Sequence, residues 1–152
     1  MIILVINGPN LNLLGQRDEK HYGQQTLDEI NQLLQNRANE LDISVKLKFF
    51  QSNCEGALID FIQQNRESDG LIINPGAFAH YSYALADGLR DFSGRKAEVH
   101  LSDISQREDW RAKSVTAEAS DKVFMGKLEK SYIEAFEWLI DTRQNKLKIQ
   151  NL

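Results

Sequence analysis

Five short apolar runs, separated by stretches with helical spacing, set the pattern of this chain. The runs are Ile2–Ile6, Val45–Phe50, Leu71–Ile73, Ala97–Leu101 and Lys122–Met125, each of strand length. Between the first two, Leu27, Ile30, Leu33, Leu34, Ala38 and Leu41 form one helical stripe behind Thr26-x-x-Glu29. In that spacing the Thr and Glu side chains each satisfy a free N–H at a helix start. Ser52-x-x-Glu55 reads the same way before Leu58, Ile59, Phe61 and Ile62. A third helix is expected over Ser82–Phe92, and a last one from about Lys127 to Asp141 with Ile133, Phe136, Leu139 and Ile140 inward. Strands alternating with helices imply a parallel sheet covered on both faces.

The second run differs from the rest. Val45, Leu47 and Phe49 alternate with Lys46 and Lys48, so one face is wet, as at a sheet edge. A second strand at the edge and a first strand inside suit the order 2-1-3-4-5. The expected architecture is a flavodoxin-like α/β three-layer sandwich with a five-stranded parallel sheet. It is read as a single domain over residues 1–144, with a polar tail at 145–152 that is expected to fray.

Length and composition narrow the possibilities. The 152 residues suit one domain with a substantial core. A net charge of -4 and the lack of a basic run argue against bulk binding of nucleic acid. Cys54 is the only cysteine, so no intrachain disulfide can form and a reducing compartment fits. No apolar run is long enough to span a bilayer, and the opening run ends at Asn7-Gly8-Pro9 without the features of a signal peptide. The expectation is a cytoplasmic protein.

Candidate chemistry gathers at the ends of three strands. The first strand leads into a long connection, Asn7 to Gly23, carrying Asn10, Arg17 and Tyr22 between possible glycine hinges at Gly15 and Gly23. Connections of that length usually serve as lids or binding surfaces. The third strand ends in Asn74-Pro75-Gly76-Ala77-Phe78-Ala79-His80, and the fourth in His100-Leu101-Ser102-Asp103, with Arg107 and Arg111 beyond. Open parallel sheets bind ligands at the carboxyl ends of their strands, where strand order reverses. Convergence of arginines, histidines, asparagines and a tyrosine there points to a small-molecule site. Each residue has a plainer reading too: Arg17 and Tyr22 as solvated loop residues, His100 as a core histidine, Asn10 and Asn74 as turn formers.

These same residues carry a resemblance. Asn7-Gly8-Pro9-Asn10-Leu11-Asn12-Leu13-Leu14-Gly15 with Arg17 and Tyr22-Gly23 resembles the opening signature of the type II 3-dehydroquinases. Gln51-Ser52-Asn53 with Glu55-Gly56, Ile73-Asn74-Pro75-Gly76-Ala77 with His80, and Glu98-Val99-His100-Leu101-Ser102 with Arg107-Glu108 follow in the same order. The resemblance covers roughly residues 2–114. The chain departs from the pattern at Cys54, Phe78 and Asp103, and from Val115 to Gly126. The resemblance implies dehydration of 3-dehydroquinate to 3-dehydroshikimate, in aromatic biosynthesis or quinate breakdown, by a homo-dodecamer built as a tetramer of trimers.

Roles follow from the match. Removing a proton beside a ketone and a hydroxyl beta to it calls for a base, an enolate stabiliser and an acid. By resemblance Tyr22 is the base and Arg17 its activator, since a nearby cation stabilises a phenolate. His100 matches the general acid, and Asn10 and Asn74 suit a water or the enolate oxygen. His80 and Arg111 match residues that bind ring hydroxyls, and Leu101 and Ser102 offer backbone N–H groups to a carboxylate. Ser105-x-x-Glu108 marks a helix start close by. Arg107 ranks below Arg111 as a substrate grip. Asp87 matches a residue that reaches a neighbouring subunit's site, and Glu98 either pairs in the core or orients His100. No metal or other cofactor is expected, because the histidines and the lone cysteine lack ligand spacing. The competing readings are a flavodoxin-like binding module without catalysis, a relative that has lost activity, and a Schiff-base route through a lysine. The connection after the first strand lacks the Ser, Thr and Gly of a phosphate cradle. No lysine suits a Schiff base: Lys46 and Lys48 lie on the wet face of an edge strand, Lys96 at the amino end of a strand, Lys20 in a polar setting on the connection, and Lys113 and the later ones outside the matching motifs.

Overall fold

Ile3, Leu4, Val5 and Ile6 are completely buried because strand β1 (Ile2–Asn7) runs through the middle of a sheet with helices on both faces. Each such side chain contributes about 1.5–3 kcal/mol relative to exposure. The computed structural model describes residues 1–41 and 44–150, with side chains through residue 141. The other strands are β2 (Lys46–Gln51), β3 (Gly70–Asn74), β4 (Arg95–His100) and β5 (Lys122–Met125). They pair in parallel in the order β2-β1-β3-β4-β5, the flavodoxin-like order expected from the sequence. The helices are α1 (Glu19–Tyr22), α2 (Leu27–Glu40), α3 (Glu55–Gln64), α4 (Tyr83–Arg90) and α5 (Lys130–Gln150).

Successive strand residues point to opposite faces, and the two cores follow that alternation. Ile3, Val5, Ile72, Ala97 and Val99 pack with α2 and α5 through Ile30, Leu34, Tyr132 and Phe136. Leu4, Ile6, Leu71 and Ile73 pack with α3 and α4 through Leu58, Ile62, Leu85 and Leu89. Strand β2 lies at the edge, and Lys48 turns its ammonium onto Asn65 Oδ1 at 2.7 Å. The divergent segment after Val115 still delivers an edge strand, with β5 registering Ala97 against Lys122 and His100 against Met125.

Of the three Ser/Thr-x-x-Glu spacings read as helix starts, one forms its cap and two do not. At Thr26 the reciprocal cap forms: Glu29 N–H donates to Thr26 Oγ1 at 3.2 Å, and Thr26 N–H donates to Glu29 Oε2 at 2.7 Å. Ser52 does not cap α3. Its hydroxyl accepts from Cys54 N–H, Cys54 takes the cap position, and Glu55 accepts a short hydrogen bond from Ser82 across the α3–α4 seam. Beyond Asp103 the helix expected at Ser105 is replaced by two single 3-10 turns, Ile104–Gln106 and Asp109–Arg111, the first capped by Asp103. The closing helix starts later and runs longer than its apolar stripe, so residues 145–150 of the expected tail continue α5. Residues 151 and 152 lie outside the described residues.

One close approach joins the carboxyl ends of β1 and β3. Gly8 N–H donates to Asn74 O at 2.8 Å, and a Cβ on Gly8 would lie 2.3 Å from the Pro75 carbonyl oxygen. That neighbour is backbone and cannot rotate away. Gly8→Ala is therefore expected to lose about 1–3 kcal/mol in urea unfolding. Gly56, on α3, has no atom within 4 Å of an added Cβ, and Gly56→Ala is expected to gain about 0.5–1 kcal/mol. Equal effects at both positions would contradict this reading of the seam.

Candidate active site

Parallel pairing puts the carboxyl ends of β1, β3 and β4 at one level. Asn7 registers with Asn74, and Ile73 with Glu98, two residues before His100. The cleft above them is lined from all three strand ends. The β1 connection brings Asn10, Arg17 and Tyr22; the β3 end brings Asn74 and His80; the β4 end brings His100, Leu101, Ser102, Arg107 and Arg111. Of the residues given roles from the sequence, all but Asp87 and Glu98, which is buried in β4, thus line one cavity. Asp87 is the outlier. It lies on the exposed side of α4, paired with Arg90 Nη1 at 2.6 Å.

The connection after β1 is less irregular than its composition suggests. Leu11–Leu13 make a 3-10 turn and Glu19–Tyr22 a single α-turn capped by Asp18. Tyr22 ends that turn, and Gly23 leaves it with φ 73°. Asn10 has a left-handed backbone, φ 66°, and its N–H donates to Asn53 Oδ1 at 2.9 Å. Asn tolerates that conformation better than most side chains, so its turn-forming and site-lining readings both hold.

Two cations meet one phenol. Arg17 Nη2 donates to Tyr22 Oη at 3.0 Å, and its guanidinium carbon stands 3.8 Å from the ring centroid. Arg107 Nη1 donates to the same oxygen at 3.2 Å and reaches Ser102 Oγ at 3.4 Å. Both guanidiniums donate to that one oxygen, and the Arg107 side chain is only 10% exposed. The sequence reading ranks Arg107 below Arg111 as a substrate grip and gives neither a contact with Tyr22; in the structure Arg107 is the one that reaches that phenol. The two irregular turns after β4 carry Arg107 back over the cleft, and no periodic signal encodes that path.

His100 is backed by a buried carboxylate. Its Nε2 lies 2.7 Å from Glu98 Oε1, so Glu98 is an orienter of the imidazole. Glu98 is wholly buried and accepts two further hydrogen bonds, from Ser114 Oγ and Thr116 Oγ1, both at 2.6 Å. A buried carboxylate needs such donors. Ser114 and Thr116 went unnoticed in the sequence because their contact crosses from a loop to β4. Arg111 lies at the rim, stacked on Trp110 at 4.0 Å and bonded to Glu108 at 2.8 Å. His80 Nδ1 meets the Lys113 carbonyl at 2.8 Å. Among the described residues no three His, Cys, Asp or Glu side chains cluster as metal ligands would. No helix among them is long and apolar enough to cross a membrane.

Fold and site together define a flavodoxin-like α/β protein with a cationic, histidine-bearing cleft at its switch point, suited to a small oxygenated anion. The family model for class II dehydroquinases matches residues 1–140. A 3-dehydroquinate dehydratase of Roseiflexus castenholzii is 49% identical over 144 residues, 94% of this chain and 90% of that protein. One from Clostridium botulinum is 45% identical over 150 residues, 97% of each chain. The crystal structure of a type II dehydroquinase from Butyrivibrio crossotus matches with a TM-score of 0.87 at 41% identity, covering 91% of this chain and 97% of that one. The chain belongs to the class II dehydroquinase family.

Burial holds the His80 imidazole below its ordinary value of 6.5, aided by the charges of His100 and Arg111 and opposed by the Lys113 carbonyl and Glu98. As pH falls through 6.5 the unfolded chain takes up this proton before the folded chain does, so the stability tied to His80 decreases down to its lowered folded value. Its ring proton resonances are expected to titrate with a midpoint below 6.5. A midpoint above it would contradict the assigned burial.

Proposed function

We propose that this chain dehydrates 3-dehydroquinate to 3-dehydroshikimate, a reaction of the shikimate pathway, through an enolate and with its own side chains. The observation that carries the proposal is the Tyr22 oxygen bridged by Arg17 and Arg107, in one cleft with a carboxylate-backed His100. Tyr22 as phenolate takes the proton on the carbon beside the ketone, and the electron pair moves onto the ketone oxygen. Asn10 and Asn74 offer neutral amide donors that stabilise that oxygen, directly or through a water. Collapse of the enolate forms the carbon–carbon double bond and breaks the bond to the β-hydroxyl. His100 supplies a proton from Nδ1, while Glu98 holds Nε2, so that hydroxyl departs as water. Transfer of the abstracted proton from Tyr22 to solvent and return of one to His100 restore the site.

The remaining residues divide the substrate between them. Arg111 and His80 bind ring hydroxyls, and the backbone at Leu101 and Ser102 takes the carboxylate, beside the Asp103-capped turn. Asp87 stands away from its own chain's cleft, which supports its action in a neighbouring subunit's site within a tetramer of trimers. The lone cysteine, Cys54, is free and exposed, which suits a reducing, cytoplasmic setting.

The direct test follows the conjugated enone product in the ultraviolet as purified protein meets 3-dehydroquinate. Tyr22→Phe and Arg107→Ala are expected to lower kcat by about 100-fold or more with circular dichroism unchanged. Near-normal turnover by Tyr22→Phe would overturn the assignment of the base. In light scattering the active protein is expected to run as a multiple of its 17.4 kDa chain. An active monomer would overturn the role given to Asp87.

A further inference from the structure

The site has a second tyrosine behind it. Asn7 and Asn74 are register partners at the last positions of β1 and β3. They continue the alternation of Ile3, Val5 and Ile72, whose side chains meet α5. Tyr132, in the first turn of α5, is wholly buried, and its hydroxyl meets both amides. Asn74 Nδ2 donates to the phenol oxygen at 2.9 Å, and the phenol donates to Asn7 Oδ1 at 2.7 Å. Asn74 lines the cleft, whereas Tyr132 and Asn7 do not.

The direction of this chain of hydrogen bonds is determined from one end. Gly76 N–H donates to Asn74 Oδ1 at 3.2 Å. Turning the Asn74 amide over would set its NH2 against that N–H and two donors would face each other. Asn74 must therefore offer an N–H to Tyr132, and Tyr132, with one proton of its own, must give it to Asn7. Burial keeps the phenol above its ordinary range, so it remains a donor. Among the described residues Asn7 Nδ2 has no partner although it is buried, which costs stability. An apolar residue would avoid that cost. What Asn7 provides in return is the acceptor that holds the Tyr132 proton away from Asn74.

We propose that Tyr132 is a positioning residue: its hydroxyl clamps the Asn74 carboxamide so that the second Nδ2–H stays directed for an oxygen of the bound substrate. This inference rests on the dehydratase reading only in naming the ligand, a hydroxylated ring ketone. The clamp itself consists of residues already in contact. Tyr22 and Tyr132 thus contribute in opposite ways, one as a phenol set between cations to exchange a proton, the other as a phenol that keeps its proton and fixes an amide.

The test is a double-mutant cycle on kcat/KM. Tyr132→Phe removes one oxygen and little volume, and is expected to lower kcat/KM about 10- to 100-fold well below the melting temperature. In an Asn74→Ala background the same substitution should change kcat/KM by less than about 2-fold, because the group it positions is gone. Loss of a merely structural hydrogen bond would lower the melting temperature equally in both backgrounds and leave kcat/KM unchanged in each. If Tyr132→Phe does not fold, Asn7→Ala replaces it in the cycle, since it removes the acceptor that fixes the phenol. Hydrogen exchange of the Asn74 side-chain amide, read by NMR, gives a second measure that needs no turnover: it should be slow in the wild type and faster in Tyr132→Phe. Unchanged kcat/KM in Tyr132→Phe, or equal falls in both backgrounds, would overturn the proposal. If the wild type does not dehydrate 3-dehydroquinate, the functional reading fails and amide exchange alone decides, with equal protection in both proteins overturning the clamp.

Discussion

The seam between β1 and β3 is the constraint on which the site depends. Gly8 N–H reaches the Asn74 carbonyl, and no side-chain carbon fits between Gly8 and the Pro75 carbonyl. Two neighbouring parallel strands therefore begin their connections in direct backbone contact. Gly76, with φ 57°, repeats the approach from the other side, where an added Cβ would stand 3.1 Å from the Pro9 carbonyl oxygen. Because the connections leave together, Asn10 and Asn74 share a wall of the cleft, and the turn bearing Tyr22 returns over it. A looser seam would move catalytic groups by about an ångström, enough to cost orders of magnitude in rate.

Electrostatics then divides the cleft in two. On the lid side, two guanidiniums face one phenol, and the Arg107 side chain is mostly shielded. On the sheet side, a wholly buried carboxylate is held by two hydroxyls and an imidazole. Glu98 occupies a strand position whose neighbours Ala97 and Val99 are core. A charge there is tolerated only with its donors in place, which ties the segment at Ser114 and Thr116 to the geometry of His100. The proposed dehydration assigns its base to the first side and its acid to the second, and an elimination of water needs both.

Much of this was legible in the chain. The strand runs, the wet second strand and the Thr26 cap gave the sheet order, because period and capping are local properties. The end-of-strand motifs located the cleft, because parallel strands bring their carboxyl ends to one level. Long-range side-chain partners were not legible. Ser52-x-x-Glu55 had the spacing of a cap, yet Glu55 finds Ser82 on another helix. Arg107 was ranked below Arg111 as a substrate grip, yet the chain after β4 folds it onto Tyr22, 85 residues away in sequence. Tyr132 had no reading from the sequence, standing outside the stripe of Ile133, Phe136, Leu139 and Ile140, yet its hydroxyl meets two asparagines. In each case the deciding bond joins elements far apart in sequence, which no window of residues reports.

The central claim is that the guanidinium pair assists proton removal by Tyr22 rather than merely gripping substrate. Its most direct test is the primary isotope effect on kcat/KM with 3-dehydroquinate deuterated at the carbon that loses the proton, compared between the wild type and Arg17→Ala and Arg107→Ala. Slowing proton removal makes that step more fully rate-limiting, so the account predicts a larger isotope effect in both variants together with their lower rates. Variants that are slower but show the same or a smaller isotope effect would place the arginines at another step and contradict the account.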